Sequence, residues 1–134
     1  MLQEIEKQIK QAAALGEFLQ EHKGQDVSVL DLREINNWTD FFVIATTSSK
    51  THMDGLERQI KEYCRENGIE ILGRSRSVKN IQDEWRIIDL GWAIIHLMSK
   101  QLRDFYELEK IWRLTNNYSS SSSQSSSSSS QSSV

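Results

Sequence analysis

Residues 85–112 read WRIIDLGWAIIHLMSKQLRDFYELEKIW, and a change of period inside this stretch sets the fold class. Trp85 to Met98 alternate as two half-buried strands around Leu90-Gly91, and the residues that follow repeat at helical spacing. A β-hairpin feeding a short helix is expected. With Leu90 and Gly91 as central turn residues, and Gly91 supplying a positive φ, Asp89 faces Trp92, Ile87 faces Ile94 and Trp85 faces His96. Facing residues of a hairpin share one side of the sheet. One side then carries Trp85, Ile87, Asp89, Trp92, Ile94, His96 and Met98, and the other Ile88, Leu90, Ala93, Ile95 and Leu97. The second set is purely apolar and reads as core. The first mixes large aromatics, a sulfur and two titratable groups, which is the composition of a recognition surface.

Toward the N-terminus, Leu2, Ile5, Ile9, Ala12, Leu15 and Leu19 recur near one face of a helix expected over 2–22, with Gly24 ending it. VSVLDLR at 27–33 is β-rich and leads to a polar turn at Asn36-Asn37. FFVIAT at 41–46 is apolar on both alternating faces, as suits a central strand covered on both sides. Thr51 and Asp54 resemble a capping box. They precede Met53, Leu56, Ile60, Tyr63, Cys64 and Asn67 at helical spacing, and Gly68 is the stop. Ile69–Leu72 is expected as a third strand, 73–83 as a polar loop, and Gln101 to Leu114 as a final helix. In that helix Leu102, Phe105, Leu108, Ile111 and Trp112 are spaced to cover the sheet, while Arg103 with Glu107 and Tyr106 with Lys110 form local pairs. The order is α-β-β-α-β-β-β-α, an α/β sandwich with a mixed sheet. Adjacent strands and the hairpin favour antiparallel pairs, and the middle β-α-β favours a parallel one.

Residues 1–117 suffice for one domain with one hydrophobic core. Residues 118–134 are not domain material: Ser119 to Val134 hold thirteen serines, two glutamines and one valine, a composition expected to be disordered. Sixteen Lys and Arg against 19 Asp and Glu leave a formal net charge of −3. General nucleic-acid binders are normally basic. An RNA-associated role would therefore run through a protein partner or a local basic patch. Cys64 is the single cysteine, which excludes a disulfide framework and a Cys-based zinc site. The N-terminal residues carry acidic groups at helical spacing where a signal peptide would be continuously apolar. No segment approaches transmembrane length, so no membrane role and a cytoplasmic location are expected.

A catalytic reading starts from Asp31, Asp40, Asp89 and His96. Asp89 and His96 lie two ladder steps or more apart on one face, which is poor geometry for an acid–base couple. His96 in an apolar strand fits a hydrogen-bonded structural or interface role better. Asp40 reads as a turn-forming carboxylate, with a site residue at the strand mouth as the alternative. ATTSSKTH at 45–52 joins a buried strand to a helix N-terminus, where an anion could dock. It lacks the glycine spacing of a phosphate-binding loop, so capping is the favoured job of its hydroxyls. Arg74, Arg76 and Lys79 put three positive charges in one loop, a weak candidate for peripheral contact with ribosomal RNA against the plainer reading of a solvated loop. No cofactor or metal is expected. Trp85 and Trp92 mark a protein contact if their side of the sheet is open, and belong to the core if a helix covers it.

DFFVIATTSS at 40–49, W-x-I-I-D-x-G at 85–91, IIHLM and then R-x-F-Y-E-L-E-K-I-W at 103–112 together resemble the ribosomal silencing factor family, also called the Iojap or RsfS family. Each fragment alone is weak; their order and spacing make the match specific over roughly Asp26 to Trp112. The resemblance implies a fold like that of nucleotidyltransferases without their catalytic motifs. It also implies binding to the large ribosomal subunit through its protein number fourteen, at the surface that meets the small subunit, so that joining is blocked when nutrients are scarce. The contact residues expected on that basis are Trp85, Ile87, Asp89, His96 and Met98 on the hairpin, with Arg103 and Tyr106 at its edge. Thr47 stands where glycine is common in the family, Trp92 where aspartate usually follows the hairpin glycine, and Arg74-Ser75 in the region of a common Glu-Gly pair. The alternatives are a nucleotide-binding enzyme using the turn at Thr46–Thr51, and a homodimer that buries the aromatic hairpin face.

Overall fold

Seven consecutive buried residues, Phe41–Thr47, form the strand around which the chain is built. A computed structural model describes residues 2–34, 39–72, 76–77 and 84–110. Among them, α1 spans Leu2–Glu21, β1 Gln25–Asp31, β2 Phe41–Thr47, α2 Lys50–Glu66, β3 Arg76–Ser77, β4 Trp85–Asp89, β5 Ala93–Ser99 and α3 Lys100–Tyr106. The element order matches the sequence expectation. The strands make one five-stranded sheet in the order β1-β2-β5-β4-β3. β1 runs antiparallel to β2, β2 parallel to β5, and β4 antiparallel to both β5 and β3.

Period-two alternation in β2 sends side chains to two cores. Phe41, Val43 and Ala45 join Ala12, Leu15 and Leu19 of α1 and Met53, Leu56, Ile60 and Cys64 of α2, together with Ile88, Leu90, Ala93, Ile95 and Leu97. This is the apolar side of the hairpin, as its sequence implies. Each fully buried aliphatic side chain contributes about 1.5–3 kcal/mol, so this layer supplies most of the driving force. Both of its helices close in the same way. At the end of α1, Lys23 takes φ 72° and Gly24 N–H donates to the Leu19 carbonyl at 2.7 Å. A Cβ on Gly24 would meet that oxygen at 2.8 Å, which is why glycine stands there. At the end of α2, Gly68 takes φ 68° and Ile69 N–H reaches the Cys64 carbonyl at 2.8 Å, with Ile69 buried as the accompanying apolar contact. Arg86 of β4 then pins α2 through Asp54 at 2.8 Å and Glu57 at 2.6 Å.

Four sequence expectations are corrected. Ile69–Leu72 is not a strand; Leu72 N–H donates to the Asp89 carbonyl, and the third strand is Arg76–Ser77, inside what reads as a polar loop. The parallel partner of β2 is consequently β5. The helix cap is Ser49, whose side chain accepts from His52 N–H, while the Asp54 carboxylate is taken by Lys50 and Arg86. The last helix is interrupted after Tyr106, because Glu107 turns left-handed at φ 50°, and the backbone is helical again at Glu109 and Lys110. Arg103 therefore pairs with Glu109, and Lys110 with Glu107. The expected turn at Asn36-Asn37 and residues 111–134 lie outside the described residues.

The hairpin register is the fourth correction. Trp85 pairs with Met98, Ile87 with His96 and Asp89 with Ile94, so the central turn residues are Gly91 and Trp92. Gly91 holds φ 86° at the first of these positions, its N–H bound by the Asp89 carboxylate at 2.8 Å, and Leu90 N–H donates to the Ala93 carbonyl. A glycine there is what a two-residue hairpin turn of this kind requires. Moving the turn by one residue shifts each facing pair by two, so the two sides of the sheet keep their membership. Trp92 is the exception. As a turn residue it swings to the helix-covered side and meets the Phe41 ring edge-on at 6.3 Å.

Candidate protein-contact site

The other side of the sheet is a second core. Leu30, Leu32, Phe42, Ile44, Trp85, Ile94 and Met98 cluster there, with Ile87, Leu102 and Leu108 packed against them. The open face anticipated for the hairpin is thus closed. Met98 is 0% exposed, His96 5% and Trp85 9%. What seals it is α3, capped by Ser99, whose hydroxyl accepts from Leu102 N–H and donates to Glu84 at 3.0 Å.

An aromatic row crosses this side from core to solvent. Phe42 meets His96 edge-on at 4.4 Å. Trp85 lies 6.1 Å from His96 and 4.9 Å from Tyr106, and Phe105 stands edge-on to Tyr106 at 4.9 Å. Only the outer end is open: Tyr106 is 47% and Phe105 74% exposed. The inner end is fixed by a hydrogen bond in which Trp85 Nε1–H donates to His96 Nδ1 at 3.2 Å. The His96 proton therefore sits on Nε2, which is buried with no hydrogen-bond partner. Burial, and secondarily the Arg103 charge, push the imidazole down to about 4. A neutral, enclosed histidine of this kind is a packing group and not a proton shuttle at neutral pH.

Arg103 is 8% exposed and bound within the chain. Its guanidinium donates to Glu109 from Nη2 at 2.6 Å, to Thr46 Oγ1 at 3.0 Å and to Ser28 Oγ at 3.1 Å, and the Ser28 hydroxyl donates to Glu109 at 2.7 Å. Of the seven residues expected to touch a partner, Tyr106 alone is exposed. Ile87 and Asp89 are half-buried along β4, and Asp89 is committed to the hairpin turn. Phe105 is the exposed aromatic that sequence spacing misplaced. Its i,i+3 relation to Leu102 and Leu108 assigns it to the sheet, but Arg103 is the buried residue of α3 and Phe105 faces solvent.

Asp31 and the Thr46–Thr51 turn have structural partners. Arg33 holds the Asp31 carboxyl below the usual carboxylate range. At the Thr46–Thr51 turn, Ser48 N–H binds His52 Nδ1 at 3.1 Å, and His52 N–H binds Ser49 Oγ at 3.0 Å. The Ser49 hydroxyl there caps α2, and the Thr46 hydroxyl is taken by Arg103. No group of three or more metal-ligating residues occurs among the described residues, and no helix among them is long and apolar enough to cross a membrane. Arg74 and Lys79 lie outside the described residues.

A family profile described as "Ribosomal silencing factor during starvation" matches residues 5–134. Ribosomal silencing factor RsfS of Haemophilus influenzae is 36% identical over 103 residues, covering 74% of this chain and 98% of that protein. The protein of the same name from Treponema pallidum is 34% identical, over 76% of this chain and 89% of its own length. A crystal structure of a Chromobacterium violaceum protein superposes with a TM-score of 0.69 at 27% identity, covering 78% of this chain and 86% of the other. With the profile spanning nearly the whole chain and relatives this similar matched over most of their length, the chain belongs to the ribosomal silencing factor family.

Proposed function

We propose that this protein represses translation by binding the large ribosomal subunit through its protein number fourteen, and that it blocks the small subunit sterically and without catalysis. The observation that carries the reading is the exposed Phe105–Tyr106 pair on a buried aromatic base, in a chain whose relatives are named for ribosome silencing. Aromatics with few rotatable bonds lose little entropy on binding and dominate protein contacts. Tyr106 and Phe105 make the central contact. Trp85, His96, Met98 and Arg103 hold them from beneath, and Ile87 and Asp89 shape the adjoining strand. A net charge of −3 favours a protein anchor over phosphate binding, which leaves any ribosomal RNA contact by Arg74, Arg76 and Lys79 peripheral. The site of action is the cytoplasm. Self-pairing of two copies through the same aromatic rim would compete with the ribosome.

Two measurements test this reading. Light scattering should show less joining of purified subunits as the protein is added, and the isolated large-subunit protein number fourteen should bind it saturably. Unimpeded joining at saturating protein would contradict the steric block. Absence of binding to the isolated protein, with the large subunit still bound, would place the anchor elsewhere.

A further inference from the structure

We propose that Glu109 is a positioning residue for the partner contact: with Arg103 it locks the end of α3 onto β1 and β2 and so holds Phe105 and Tyr106 ready for docking. The proposal rests on the assignment of those two aromatics to the contact. α3 has seven residues, too few to persist as an isolated helix. Phe105 is 74% exposed, so the core does not fix it and its place is inherited from the helix. The helix packs through Leu102 and Tyr106, and its one fully buried residue is Arg103 in the last turn.

Glu107, left-handed at φ 50°, breaks the helix after Tyr106, and the backbone is helical again at Glu109. Across that break Glu109 meets Arg103, where its two oxygens take Nη2 at 2.6 Å and Nε at 3.4 Å. The same carboxylate accepts from Ser28 of β1, while Arg103 Nη1 reaches Thr46 of β2. A helix end, the segment after it and two strands thus meet at one ion pair. A planar guanidinium bound at several donors fixes orientation as well as distance. Without the carboxylate, the buried charge of Arg103 is uncompensated. The last turn then gains freedom, and the fraction of molecules presenting Phe105 and Tyr106 correctly falls. Apparent affinity falls by that same fraction.

The test uses the full chain with Glu109→Gln, and Lys110→Ala as a surface control. Wild-type binding to the large subunit is established first; if it is absent, the proposed function fails and not this inference alone. Glu109→Gln is expected to weaken binding roughly tenfold, as a drop of the competent population to about a tenth would require, while Lys110→Ala leaves it within twofold, about the scale of a surface pair. Nuclear Overhauser contacts between the Tyr106 and Trp85 rings should fade in Glu109→Gln, with the Trp85 indole N–H to His96 signal retained as the sign of an intact core. Unchanged affinity overturns the proposal. So does weakened affinity with the Tyr106–Trp85 contacts intact, because Glu109 would then touch the partner directly. If Glu109→Gln does not fold, Thr46→Val removes one acceptor of Arg103 and should show the same two losses in smaller degree; no loss of either contradicts the clamp.

Discussion

Tyr106 and Trp85 pack as tilted rings with centroids 4.9 Å apart, yet their substitutions should fail in different ways. Tyr106→Ala and Phe105→Ala remove exposed rings, and each is expected to weaken large-subunit binding by about 2 kcal/mol with unfolding midpoints little changed. Trp85→Ala empties a buried site and should instead cost about 3–5 kcal/mol of stability, read by urea unfolding. A Trp85→Ala protein as stable as wild type would return the indole to the contact surface. His96 supplies a second prediction. Its folded value of about 4 lies below the ordinary 6.5, so the unfolded chain binds a proton more readily. The resulting stability, about 3 kcal/mol, is fully present above pH 6.5, declines as pH falls and is gone near pH 4. Urea midpoints of wild type and His96→Leu between pH 7.5 and 4.5 check this, since only the wild type should carry the extra loss. Parallel decline of both would show that His96 does not titrate with unfolding.

At the scale of elements, α3 is the weak link. Its cap and its left-handed exit make separate predictions. Ser99→Ala removes the oxygen that accepts from Leu102 N–H and should cost about 1 kcal/mol. Glu107→Gly removes the strain of φ 50° and should stabilise by about 0.5–1 kcal/mol in the same denaturation experiment. Loss of stability in the glycine variant would mean that the Glu107–Lys110 pair outweighs backbone strain. The limits of sequence reading also show most clearly here. The apolar run of β2 declared a strand covered on both sides, whereas β5 reads as half-buried from its alternation and is closed on its second side as well. The two sides of the hairpin were legible from that alternation, and survived an error in the turn because that error moved facing pairs by an even number. Helix length was not legible: Leu102, Leu108 and Trp112 continue a helical period through a residue that leaves the helix. Nothing in the letters distinguishes Glu107 from an ordinary helical glutamate, so an unbroken helical period places Phe105 on the sheet and pairs Arg103 with Glu107, where the structure exposes Phe105 and pairs Arg103 with Glu109. Ile69–Leu72 failed differently. Its strand-like composition reflects one buried anchor, Ile69, closing α2.

Across the whole molecule, the sheet divides two duties. One side, under α1 and α2, is closed by the apolar faces of two long amphipathic helices and carries the stability. The other is closed by a two-turn helix and polar clamps, and ends in exposed aromatics. A surface supported from beneath but open at its tip suits docking with little rearrangement. It also explains why residues that read as contacts from sequence, Trp85, His96 and Met98, share a side with the proposed contact without being exposed. The most direct measurement is co-sedimentation of the purified full chain with separated ribosomal subunits, alongside the Phe105→Ala and Tyr106→Ala variants. The wild type should travel with the large subunit and not with the small one, and both variants should remain at the top of the gradient at concentrations where wild type is bound. Wild-type protein that pellets with the small subunit alone, or with neither, would contradict the proposed function, and variants that bind as tightly as wild type would remove the aromatic tip from the contact.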